Sequence, residues 1–102
     1  MIPELNINEK FAIIFVLSEI MKADGVIHPN EEEYIDRIYT ALGVTVNDLD
    51  SIINMDSLHS KYIIDEMSSE KKKYVQSLFI EMAECDGYVH PKEIKLINDI
   101  LH

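Results

Sequence analysis

Two short stretches of this chain, "DGVIHPNE" from Asp24 and "DGYVHPKE" from Asp86, place the same residue types at the same spacing. Each offers an aspartate with a glycine beside it, then a histidine-proline pair, then a glutamate seven residues beyond the aspartate. Carboxylate oxygens are hard donors, and the chemistry they suit is capture of a hard divalent cation, calcium first. On that reading the metal ligands are Asp24, Glu31, Asp86 and Glu93, binding weakly at an acidic surface.

The spacing has a template in the EF-hand loop, with acids at its first, third and fifth positions, glycine at the sixth, an apolar residue at the eighth and glutamate at the twelfth. Asp24, Gly25, Ile27 and Glu31 match from the fifth position on, as do Asp86, Gly87, Val89 and Glu93. The front half fails, because Ile20 and Lys22 stand where the first copy would need acids, and Met82 stands at the first position of the second. A tight calcium loop of the ordinary EF-hand kind is therefore not expected.

The same residues also make sense without a ligand. Gly25 and Gly87 suit the left-handed residue that ends a helix. Pro29 and Pro91 suit the first helical position, which needs no N–H. Glu31 and Glu93 then fall at the third, where a carboxylate meets the cap amide and the positive end of the helix dipole. The aspartates fit this less well. At the carboxyl end of a helix the dipole disfavours them by about 0.3–1 kcal/mol, which turn amides or a cation would offset.

Both copies need helices on either side. Strand signals are nearly absent, and glycine (25, 43, 87) and proline (3, 29, 91) punctuate an otherwise helical periodicity. A first helix is expected from about Asn8 to Ala23, apolar almost all round and central to the core. A second runs from Pro29 to Leu42, with Tyr34, Ile35, Ile38 and Leu42 on one face and Gly43 as its stop. A short third follows Thr45, with Val46, Leu49, Ile52 and Ile53 sharing a side, and "SLHSKYIIDEM" forms a fourth. Ser68 or Ser69 caps a fifth, whose stripe is Val75, Leu78, Phe79 and Met82. Pro91 opens the last. "EEE" at Glu31 to Glu33 reads as a solvated first turn. At an offset of 62, six of thirteen positions from Glu19 to Glu31 are identical to those from Glu81 to Glu93. The expectation is an all-α domain of about six helices spanning residues 1–102. Two similar helix-turn-helix hairpins would pack with approximate twofold symmetry, joined by the two short middle helices.

Composition narrows the function classes. The chain has 102 residues, 19 Asp+Glu against 9 Lys+Arg, and a formal net charge of −10. Nucleic acid needs a basic footprint and is disfavoured as a partner, while cations and basic proteins are favoured. A single cysteine, Cys85, allows no internal disulfide and fits a reducing, cytoplasmic setting. "FAIIFVL" is too short for a membrane helix of roughly twenty residues, so no membrane insertion is expected. No nucleophile–base–orienter set and no phosphate-cradling glycine loop stands out, so the chain does not read as an enzyme. "DSL" at Asp56–Leu58 is similar to the prosthetic-group serine of acyl carrier proteins, but "LHSKYIIDEMSSEKKK" follows in place of their strongly acidic helix.

The duplicated aspartate-glycine motif, with "EKKKYVQSLFIEMAECDG" leading into its second copy, resembles the tellurite-resistance TerB-like family. The resemblance runs from the first helix to the last. It implies a compact helical domain, association with bacterial stress-response systems and an acidic metal-binding surface, whose positions here are Asp24, Glu31, Asp86 and Glu93. His28 and His90 depart from it, standing where a small capping residue is more typical. Two functions stay open: weak divalent-cation binding, or a non-enzymatic protein-protein interaction (adaptor) module whose motifs are helix-turn staples. Either leaves room for a protein partner and for a homodimer.

Overall fold

A computed structural model describes residues 3–22, 29–84 and 95. Among them every regular element is helical: α1 (Ile7–Lys22), α2 (Pro29–Leu42), a 3-10 turn (Val46–Asp48), α3 (Leu49–Ile53), α4 (Ser57–Asp65) and α5 (Ser69–Glu84). The chain is all-α, as its periodicity predicts. The helix opened by Pro91, and with it the second hairpin, lies outside the described residues.

α1 begins at Ile7, before the expected Asn8, because Asn6 is its cap. The Asn6 Oδ1 accepts the Glu9 N–H at 2.8 Å, and Glu9 Oε1 accepts the Asn6 N–H at 2.9 Å. This reciprocal pair satisfies two otherwise orphaned donors. Its apolar run then buries Ala12, Ile13, Ile14, Val16, Leu17 and Ile20. Such all-round burial needs neighbours on several sides, and α1 packs against α2, α3, α4 and α5, most extensively against α4. The short middle helices, which join α2 to α5, are thus also packed onto α1.

α2 opens at Pro29 as expected, and Ile35, Ile38 and Leu42 are buried while Tyr34 is half-buried. Gly43 ends it with φ +71°. The Gly43 N–H donates to the Thr40 carbonyl and the Val44 N–H reaches back to Tyr39 O at 2.9 Å, the paired closure of a Schellman motif. Val44 is itself buried and seals the end. The segment after Thr45 departs from expectation. It splits into the 3-10 turn and a five-residue helix, and of Val46, Leu49, Ile52 and Ile53 only Ile52 is buried. A 3-10 turn rotates 120° per residue instead of 100°, so Val46 leaves the side that helical spacing assigns it.

α4 follows the expected segment. Asp56 caps it, accepting the His59 N–H at 2.6 Å, which gives "DSL" a purely architectural role. Ser60 and Ile64 are its buried positions, and among the described residues the Ser60 hydroxyl has no hydrogen-bond partner. Ser68 is the cap of α5, through the Lys71 N–H, and Val75, Leu78, Phe79 and Met82 are all buried.

α1 and α5 match in detail. Both are 16 residues long, and both begin one residue after a cap (Asn6, Ser68) at the repeat offset of 62. Four pairs of buried residues correspond, Ile13 with Val75, Val16 with Leu78, Leu17 with Phe79 and Ile20 with Met82, whereas buried Ala12 and Ile14 answer to half-buried Tyr74 and exposed Gln76. Glu9 and Lys71, also 62 apart, meet directly, with Lys71 Nζ 3.0 Å from Glu9 Oε1 and 3.2 Å from Oε2.

Candidate functional site

Of the four carboxylates expected to hold a cation, only Glu31 lies within the described residues; Asp24, Asp86 and Glu93 fall outside them, as do the turns at Gly25 and Gly87. Glu31 occupies the third position of α2, behind Pro29, as the spacing predicts. The solvated first turn expected of "EEE" holds for Glu32 and Glu33, which are exposed, but not for Glu31, which is 1% exposed. Its place is set by helical period: Glu31, Ile35, Ile38 and Leu42 form one stripe, so the carboxylate joins the core face. A buried carboxylate demands compensation, and Glu31 is not without a partner. Among the described residues no three His, Cys, Asp or Glu side chains come together in a way that could hold a metal ion.

The repeat's flanking glutamates act as latches. Glu81 on α5 accepts a hydrogen bond from the Tyr34 hydroxyl of α2 at 2.7 Å. Its counterpart Glu19 on α1 accepts instead from Ser57, at the first turn of α4. One residue type at equivalent positions thus ties two different helices to the α1–α5 pair. The pairing Tyr34–Glu81 joins residues far apart in sequence, and no local pattern announces it.

A second feature was not foreseen. Beside α3 lie two adjoining depressions, of about 520 Å³ and 300 Å³, and both are walled by Tyr39 and Leu49. Val46 flanks the first and Ile53 the second; these side chains are 80% and 70% exposed. Asp36 lines the first, and Glu19 and Lys22 line the second. Burial, and then the neighbouring Asp36 charge, hold the Tyr39 phenol above its usual pKa, so it stays a neutral donor. On α4, Leu58 and Tyr62 are 81% and 62% exposed and, four residues apart, share a face. The signal was available in "VTVNDLDSII", which carries more apolar residues than one side of so short a helix can bury.

The family model described as "Tellurite resistance protein TerB" matches residues 3–54. The chain belongs to the TerB family. The matched stretch runs from the α1 cap through α3 and includes the first aspartate-glycine motif with Glu31, a narrower span than the first-helix-to-last resemblance read from the sequence. No curated protein and no solved structure matches this TerB-family chain. No described helix is long and apolar enough to cross a membrane.

Proposed function

We propose that this TerB-family chain is a non-enzymatic interaction module, a cytoplasmic helical adaptor that recognises a protein partner. The observation that carries this reading is the set of large apolar side chains left in solvent on one segment: Val46, Ile53, Leu58 and Tyr62, each 62% exposed or more. Large apolar side chains left in solvent close together in one segment are candidates for an interaction surface. The burial of Glu31 favours the same reading, because a carboxylate enclosed among core residues works as a helix-opening staple and not as a surface ligand. The net charge of −10 disfavours nucleic acid as the partner. A photoreactive residue placed at Leu58 in the native cells tests this, with exposed Glu32 as the control position. A discrete adduct from Leu58 alone is expected, and adducts of equal pattern from both positions would sink the module.

Weak divalent-cation binding, calcium first, remains as a second reading, favoured by the one-sided charge. Asp24 and Asp86, with Glu31 and Glu93, would supply the oxygens. Melting of the parent and of Glu31→Gln with chelator and with millimolar calcium decides it. A ligand role predicts a parent stabilised by calcium and a variant that is not, by mass-action linkage; a parent unmoved by calcium leaves the staple.

A further inference from the structure

We propose that the two depressions adjoining at Tyr39 and Leu49, one lined by Val46 and the other by Ile53, are a docking groove for a basic, apolar-faced peptide segment of a protein partner. This rests on the interaction-module reading and names the surface and the partner chemistry.

The argument begins with shape. The two depressions adjoin at Tyr39 and Leu49, one beside α2 and the 3-10 turn, the other beside α3 and the end of α1. Their volumes suit successive side chains of an extended or helical segment, in the way amphipathic helices seat anchors in grooves. Half-buried Tyr39 and Leu49 line both, while exposed Val46 lines one and exposed Ile53 the other. Burying exposed aliphatic side chains against apolar anchors supplies the affinity.

Charge selects the occupant. Asp36 and Glu19 line the two depressions against a single Lys22. Over the wider segment from residue 29 to residue 66, eight acids besides buried Glu31 stand against only Arg37 and Lys61 in sequence. A second copy of this chain would bring −10 against −10, so self-association there is opposed over the whole surface. A segment carrying lysine or arginine between apolar anchors meets the rim with complementary charge and is steered onto it. The groove also borders α4, since Ser57 is hydrogen-bonded to Glu19, so the same partner can continue toward Leu58.

The test is an amide-shift titration of the full chain, isotope-labelled, with a synthetic amphipathic peptide of leucine and lysine. A peptide with glutamate in place of each lysine serves as comparison. The leucine-lysine peptide is expected to shift the amides of Thr40, Val46, Leu49 and Ile53 saturably, and added salt should weaken it. Val46→Ser/Ile53→Ser, at exposed positions and so without loss of fold, should weaken binding roughly tenfold or more, as removal of two apolar contacts requires. Equal binding of the leucine-glutamate peptide would refute the charge complementarity. Shifts spread evenly over the surface, or concentration-dependent self-association centred on these same residues, would overturn the groove. A specific photo-adduct from Leu58 together with a silent groove would refute the groove while leaving the interaction module standing.

Discussion

At the scale of single residues, burial and partnership decide what each polar group does. Ser60 is fully buried on α4 with no hydrogen-bond partner for its hydroxyl among the described residues, a costly arrangement. Ser60→Ala removes the orphaned group with little change in volume and should stabilise the chain by about 1 kcal/mol, read by chemical denaturation. Tyr39 and Tyr74 are half-buried, and both phenols are held above their usual pKa, first by burial and then by the charges of Asp36 and Glu81 respectively. A folded-state pKa above the unfolded one adds stability that is complete below about pH 10 and fades as pH rises through the folded value. Unfolding midpoints should therefore fall in alkali, and Tyr39→Phe/Tyr74→Phe should flatten that fall; a variant with the parent's alkaline slope would contradict it. Glu31 shows what a residue-level reading misses. Capping logic placed it correctly at the third helical position, yet its burial follows from its registration with Ile35, Ile38 and Leu42, a property of the helix face.

At the scale of elements, the long helices were legible because their apolar periods are long enough to leave one solution. The stripes of α2 and α5, the Pro29 start and the Gly43 stop all follow from local chemistry. Gly43 is the cleanest case for measurement. An added Cβ would meet nothing within 4 Å, so Gly43→Ala isolates the backbone cost of φ +71°. That cost should be about 1 kcal/mol, lowering the melting temperature by roughly 4–8 °C. The segment from Thr45 to Met55 was not legible. Too short for a period to declare itself, it spends its apolar residues on the groove walls and on solvent rather than on one buried side. The groove escaped notice for the same reason: Tyr39 and Leu49 belong to different elements and acquire a shared role only when α2 and α3 are brought together.

At the scale of the whole molecule, the helices that lead into the two repeated loops, α1 and α5, share their length, the offset of their caps and four pairs of buried residues, while the loops' turns lie outside the described residues. A radius of gyration of 12.5 Å is close to the roughly 13 Å of a globular chain this long. α1, touching four other helices, is its hub, so damage to the α1–α5 contact should be felt globally. Lys71→Ala should cost about 1–2 kcal/mol, between the limits for exposed and buried ion pairs, since Glu9 is nearly enclosed and Lys71 partly so.

The meeting of Glu9 with Lys71 has a further consequence. Where a position of one long helix touches its counterpart in the other, identical residues would set acid on acid or base on base. Here the two positions carry opposite sign and attract. Placing like charges there with Lys71→Glu should accordingly destabilise more than Lys71→Ala does. If the two variants were equally stable, the contact would be one of packing and not of charge.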